Sequence, residues 1–327
     1  MPYQYEYGCK RGETTFKGCD IMRIKPARLK KGDTVGIIAP ASPPDSEKLL
    51  RSFSFLEELG LNIKLGKHVN DQYGYLAGRD QARLDDIHAM FCDKEVKAIF
   101  CARGGYGTGR IAAQMDYVAI KENPKIFWGY SDITFLHLAI RKRTGLITFH
   151  GPMLASDIGS EEVHELSKEG FKQLFDPIMI QYTNETSPLE TIVEGQAAGE
   201  VTGGNLTLIT STLGTPFEID TCGKLLFIED ISEPPRSVDR MLNQLYMSGK
   251  LTDAAGLIIG DFNDCVPGKG PSLSLEEVIS HYAKLAGRPA MKGFKMGHCS
   301  PNIAIPLGAS AEIDTFNQRL IVESGIC

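Results

Sequence analysis

Short apolar runs alternate with amphipathic stretches through the first half of this chain. Thr34 to Ala39 (TVGIIA) is a strongly apolar run that ends at Pro40 and the turn-like Ser42-Pro43-Pro44, the pattern of a buried strand. Asp45 to Leu59 places Leu49, Leu50, Phe53, Phe55 and Leu56 at helical spacing and stops at Gly60. Asn62 to Leu65 then reads as a strand, Asp80 to Phe91 as a helix, Val96 to Cys101 as a strand and Gly107 to Gln114 as a helix. Ile126 to Trp128 is the next strand, Ile133 to Arg143 a helix, and Leu146 to Phe149 a further strand. This alternation predicts an α/β, Rossmann-like unit: a parallel sheet with helices on both faces. In such sheets ligands collect beyond the carboxyl ends of the strands.

The pattern changes after Leu154. Ser160 to Phe175 has helical spacing, and residues 176–195 are polar and mixed, as in a linker. Shorter strands are expected at Leu225 to Glu229, Ala255 to Gly260 and Arg319 to Glu323, with helices near Val238 to Ser248 and Ser274 to Ala286. The expected organisation is an N-terminal extension over 1–24, a Rossmann-like domain over 25–175, a linker over 176–195, and a smaller strand-rich C-terminal domain over 196–327.

Composition narrows the function. The 327 residues are 42% hydrophobic and 23% charged, the balance of a soluble globular protein. A net charge of −6 argues against a nucleic-acid partner, which calls for a basic face. No apolar run reaches the length of a membrane span, and residues 1–30 lack the apolar core of a signal peptide. The 8 cysteines show no C-x-x-C spacing, which suits reduced thiols in the cytoplasm better than disulfides or a zinc site.

Chemistry concentrates at Gly129-Tyr130-Ser131-Asp132, where a strand runs into a helix. A serine on such a turn has its hydroxyl pushed out of the strand, and the helix aims its first amides at the same spot. Arg103-Gly104-Gly105-Tyr106-Gly107 follows the preceding strand and has neither a Gly-Lys-Ser/Thr sequence nor dinucleotide spacing. It fits an oxyanion pocket, with amides of Gly105 and Asp132 as donors. A serine nucleophile needs a base. His298, in a loop of small residues, and His150, at a strand end, are the candidates, while His137 fits helix packing. Cys299 beside His298 is a weak alternative pair, because adjacent side chains on extended chain point apart. Glu229, Asp230 and Glu233 compete as the carboxylate that orients the imidazole.

These segments together resemble the LD-carboxypeptidase family of serine peptidases, which includes muropeptide LD-carboxypeptidases and microcin-immunity peptidases. The resemblance runs from about Pro26 to Leu320. It rests on Ile37-Ile38-Ala39-Pro40-Ala41-Ser42, Gly74-Tyr75-Leu76-Ala77-Gly78, the two glycine-containing turns above, Gly203-Gly204-Asn205-Leu206, Phe227-Ile228-Glu229-Asp230, Asp239-Arg240-Met241-Leu242 and Gly297-His298. It implies Ser131 as nucleophile, Glu229 as orienting carboxylate and His298 as base, facing one another across an interdomain cleft. It departs from the family pattern at Arg236, where an aromatic residue is expected. The implied reaction is hydrolysis of an L,D-peptide bond that releases terminal D-alanine from a muropeptide tetrapeptide, with no metal or organic cofactor. Arg103 and Tyr106 are the expected substrate contacts, and a homodimer the expected assembly. Two other readings remain: an immunity peptidase cleaving an aminoacyl-nucleotide antibiotic, which would favour an aromatic shelf, and an inactive muropeptide-binding sensor.

Overall fold

Burial organises the first layer. The strands in chain order are β1 (Thr34–Ile38), β2 (Asn62–Leu65), β3 (Val96–Cys101), β4 (Ile126–Gly129), β5 (Thr148–His150), β6 (Ile180–Tyr182), β7 (Glu190–Val193), β8 (Gln196–Asn205), β9 (Leu225–Ile231), β10 (Gly256–Asn263), β11 (Ala290–Lys292), β12 (Ile305–Leu307), β13 (Ser310–Asp314) and β14 (Arg319–Val322). This computed structural model describes residues 22–327. Of the expected N-terminal extension, residues 1–21 lie outside the described residues, as do Cys9 and Cys19.

The first sheet has the order β12-β5-β4-β3-β1-β2. Its members β1 to β5 are parallel, and β12 joins antiparallel, pairing Ile305 with His150. Every residue of β4 and β5 is buried, which suits the continuous apolar run Ile126-Phe127-Trp128 of β4. The chain passes from β1 to one side and returns on the other as β3, so the strand order reverses between them. Ser42 follows β1 and the glycine turn follows β3, so both flank this switch point.

The second sheet has the order β6-β14-β13-β8-β9-β10-β11-β7, parallel from β8 to β11 and antiparallel at both edges. One buried cluster runs from Val35, Phe100, Trp128 and Phe149 of the first sheet to Phe227, Ile258 and Leu320 of the second. A shared apolar core of this kind resists hinging, because opening would expose it to water.

Two segments differ from the sequence expectation. Residues 176–195 contain β6 and β7, the two edge strands of the second sheet. Their outward positions, such as Gln181 and Glu190, are exposed, which gives the segment its linker-like polarity. Ser160 to Phe175 is not one helix: a short helix, Glu165–Glu169, passes into a 3-10 turn, Gly170–Leu174. A wide π turn, Leu154–Ile158, precedes them and ends at Gly159, which lies against the Lys48 carbonyl where no side chain fits.

Candidate active site

Ser131 leaves the end of β4 with φ at 65°, in the left-handed region that an L-residue with a side chain avoids. The strain turns its hydroxyl away from the sheet. Ser131–Ile133 forms one 3-10 turn that leads into the helix Thr134–Thr144, so the first N–H groups of that turn have no intrahelical acceptor. Asp132 is buried, and its carboxylate accepts the Thr108 N–H at 2.9 Å, while the Thr108 hydroxyl donates to the Asp132 carbonyl at 2.6 Å. This pair of bonds locks the serine turn to the glycine turn. Burial pushes the Asp132 carboxyl up, against the Thr108 hydrogen bonds.

The glycine in contact with Ser131 is Gly104; Gly105, one residue on, lies over Ser42. A Cβ on Gly104 would come within 2.9 Å of Ser131 Cβ and 3.1 Å of its Oγ. The Ser42 hydroxyl shapes this turn by accepting the Tyr106 N–H at 3.2 Å and donating to the Tyr75 carbonyl at 2.8 Å. Arg83, fully buried, donates to the carbonyls of Pro40 and Gly107 at 2.6 and 2.9 Å, tying the ends of β1 and β3 together. Gly104→Ala is expected to lower kcat about 100-fold, the scale for roughly an ångström of misplacement at a reacting group. Folded stability measured by thermal unfolding, alongside steady-state rates, checks that the loss lies in the site.

Glu229 and Asp230 are neighbours in β9, so their side chains leave opposite faces. Asp230 is occupied by the Asn205 amide at 2.9 Å and by the Thr207 N–H and hydroxyl at 2.9 and 2.8 Å. Glu229 faces the first sheet with its side chain 0% exposed. Gly297 makes room for it: any Cβ there would strike the Glu229 carboxylate.

His298 comes from the segment between β11 and β12. The Gly297 N–H donates to Asn302 Oδ1 at 3.1 Å, and the Asn302 N–H donates to the Ser167 hydroxyl at 2.9 Å. The return of the chain into the first sheet as β12 fixes the far end of this loop. As a result His298 Nδ1 lies 2.8 Å from Glu229 Oε2, and Nε2 lies 2.9 Å from Ser131 Oγ. With Nδ1 as the donor to Glu229, Nε2 is free to accept from the serine. Burial pulls the His298 imidazole down, but the hydrogen bond and charge of Glu229 outweigh it, and the net direction is up. Burial raises the Glu229 carboxyl, partly offset by the hydrogen bond from His298.

The other sequence candidates sit elsewhere. His150 is buried, its ring edge-on to Tyr130 and Phe227, and its two nitrogens meet no hydrogen-bonding protein group. Burial holds it far below the ordinary range, hence neutral. His137 is packed as expected, bonded to the Gly129 carbonyl at 2.8 Å. Cys299 Sγ donates to the Pro301 carbonyl at 3.1 Å, and burial pushes its thiol well up, so it is not a thiolate. Arg103 is exposed and donates to the Pro43 carbonyl at 3.2 Å; Tyr106 is 54% exposed and meets Tyr75 edge-on at 5.5 Å. Arg83 and Asn302 have no place among the sequence candidates, and Ser42, Gly104 and Asn205 lie within the quoted motifs without being singled out. Only the glycine turn and the Ser42 and Asn205 motifs carried a signal near them.

Among the described residues no group of three or more His, Cys, Asp or Glu side chains is arranged to hold a metal ion, and no helix is long and apolar enough to cross a membrane. Family models described as the LD-carboxypeptidase N-terminal and C-terminal domains match residues 35–151 and 198–313. A protein of Bacillus subtilis (strain 168) named probable murein peptide carboxypeptidase is 61% identical over 312 residues, 95% of this chain and 98% of that one. The murein tetrapeptide carboxypeptidase of Pseudomonas aeruginosa is 31% identical over 86% of this chain and 92% of its own length. The solved structure of the microcin C7 self immunity protein MccF in its wild-type apo state superposes with a TM-score of 0.84 at 26% identity, covering 92% of this chain and 98% of that one. Both family models match in order, and a relative of nearly the same length shares most of its residues; this chain belongs to the LD-carboxypeptidase family of serine peptidases.

Proposed function

We propose that this enzyme hydrolyses the L,D-peptide bond of muropeptide tetrapeptides and releases the terminal D-alanine, with Ser131, His298 and Glu229 as its catalytic residues. The observation that carries this reading is the unbroken hydrogen-bonded series from Ser131 Oγ through His298 to Glu229 at 2.9 and 2.8 Å. Ser131 attacks the carbonyl of the penultimate residue as its proton passes to His298 Nε2. Glu229 holds the tautomer and faces the imidazolium that forms. Amides of Asp132 and the Gly105 turn face the developing oxyanion, each donor contributing about 3 kcal/mol. His298 then protonates the departing D-alanine amine, the C–N bond breaks, and water repeats the attack on the acyl-enzyme. Arg103 is proposed to meet the substrate's terminal carboxylate and Tyr106 to flank the peptide.

Incubation with a defined tetrapeptide and detection of D-alanine tests the reading; binding without release would favour the sensor, and cleavage of a processed microcin without release would favour the immunity peptidase. The single tryptophan, Trp128, is buried with its Nε1–H bonded to the Pro152 carbonyl at 2.7 Å. It is no shelf for a nucleobase, which favours the muropeptide. The free thiols of Cys92, Cys101, Cys222, Cys265, Cys299 and Cys327 accord with a cytoplasmic setting, and family resemblance suggests a homodimer, checked by sedimentation.

A base must be neutral to accept a proton. Because His298 titrates above its ordinary value, near 6.5, kcat/KM is expected to fall with decreasing pH from above that point. A pH–rate profile whose acid limb lies well below 6 would contradict the pairing with Glu229.

A further inference from the structure

Tyr130, the residue before the nucleophile, is buried, and its ring packs on the His298 imidazole with centroids 4.8 Å apart and planes at 57°. Its hydroxyl donates to Asp157 Oδ1 at 3.1 Å. Asp157 lies in the π turn Leu154–Ile158, partly buried, and its other oxygen accepts the Met153 N–H at 2.8 Å. That turn is itself pinned near the glycine turn: the Ala155 N–H donates to the Ala102 carbonyl at 2.9 Å, and the Met153 side chain lies beside Gly104. Asp157 therefore joins the glycine turn, the strand end that carries Ser131, and the face of the His298 ring. A π turn is rare and concentrates at functional sites. The reaction as derived makes no use of this carboxylate.

We propose that Asp157, acting through Tyr130, is a positioning residue for His298: it fixes the ring against which the imidazole rests, and it sets a second negative charge facing the imidazolium. The proposal rests on the assignment of His298 as the base. Glu229 restrains the imidazole through Nδ1; the Tyr130 ring, tilted at 57° to the imidazole, adds a second contact that the Glu229 hydrogen bond does not supply. The charged and titratable groups facing Asp157 are Tyr130 and His298. Those facing His298 are Glu229 and Asp157, with His150 beyond Tyr130 and the Asp230 charge acting from the other face of β9. Tyr130 faces Asp157, Glu229 and Cys299, and burial holds its hydroxyl protonated, as a donor to Asp157 must be. Burial moves the Asp157 carboxyl up to about 6, so its charge is present in the neutral range and lost below it.

The test compares Asp157→Asn, Tyr130→Phe and the double variant with the wild-type enzyme. Each is assayed for D-alanine release and for the rate at which a fluorophosphonate modifies Ser131, a reaction that needs the Ser–His pair but no muropeptide. The single variants are expected to lower kcat and the labelling rate about tenfold, less than loss of a base itself, with KM unchanged. In Asp157→Asn the acid limb of kcat/KM is expected to move to lower pH, since an imidazolium without the Asp157 charge loses its proton more readily; Tyr130→Phe keeps that charge and should move the limb less. The double variant should be no slower than Asp157→Asn, because that substitution already breaks the link that Tyr130→Phe removes. An unmoved acid limb in Asp157→Asn, additive losses, or a raised KM at wild-type kcat, which marks a substrate contact, would each overturn the proposal. Should Asp157→Asn fail to fold, Tyr130→Phe carries the test of positioning through kcat and the labelling rate, because it keeps the ring and removes only the link; wild-type values of both would then overturn the proposal. Wild-type enzyme that is labelled but releases no D-alanine would instead sink the substrate assignment and leave this test standing.

Discussion

Ser131→Ala is expected to lower kcat on the order of a millionfold while KM and the fold stay as they are, the scale seen when the nucleophile of a serine peptidase is removed. The proposed oxyanion donors and substrate contacts are untouched by this change, so what remains should be binding with residual turnover from electrostatics alone. The backbone strain at this position allows a second, independent reading. Alanine retains a Cβ at φ 65° and keeps the strain, whereas Ser131→Gly relieves it. The left-handed penalty is about 1–2 kcal/mol and the entropic cost of glycine about 0.5–1 kcal/mol, so the glycine variant should be the more stable by about 1 kcal/mol. Both variants should be inactive, and the glycine variant should melt higher than the alanine variant. Turnover within 100-fold of wild type for either would end the assignment of Ser131 as nucleophile. A glycine variant that melts lower would show that the strain is not stored there.

The strained serine is also where sequence and structure agree most closely. β1, β3 and β4 were legible because strands buried on both faces are continuous apolar runs, and the sharp turns at their ends demand glycine, proline and small polar residues. Both turns beside Ser131 are readable in the sequence for that reason. β8 was not, because its sequence, QAAGEVTGGN, has no apolar period. Its partners define it: Gly203 lies flat against the Phe227 backbone and Gly204 against Thr134, approaches that any side chain would block. β12 is three residues long with Pro306 in the middle, tolerable on a sheet edge and invisible to periodicity. Yet β12 brings the His298 loop back to Ser131, so the 2.9 Å contact between them depends on a strand with no sequence signal. Spacing alone left His150 open as the base; its burial against Tyr130 and Phe227 is a property of the packed core, which a turn-like local sequence does not report. Asp157 carries no sequence signal: it lies in a π turn just before Ser160 to Phe175, the stretch expected to be a single helix.

Glu229→Gln is expected to lower kcat about 10,000-fold with little change in KM, and the reason lies in the imidazole it faces. As a carboxylate, Glu229 can only accept, so Nδ1 must carry the proton and Nε2 must present its lone pair to Ser131 Oγ, 2.9 Å away. A glutamine in the same place offers an amide N–H as well. If it donates to Nδ1, the proton moves to Nε2, which then points a hydrogen at the serine and cannot take another. If it accepts, the tautomer survives but the imidazolium loses the charge that faces it. Glu229→Asp separates the two effects. The charge remains, but the side chain is one methylene shorter, and a 2.8 Å hydrogen bond cannot span the gap with Gly297 packed over the carboxylate. The aspartate variant should therefore keep much of the raised His298 titration and lose geometry, whereas the glutamine variant should lose both. Its acid limb in kcat/KM should move down in pH, because the group that holds the imidazolium has lost its charge. Rates of tetrapeptide hydrolysis across the acid and neutral range decide this. A glutamine variant within tenfold of wild type, with an unmoved limb, would mean that the buried carboxylate is structural and that some other group orients the base.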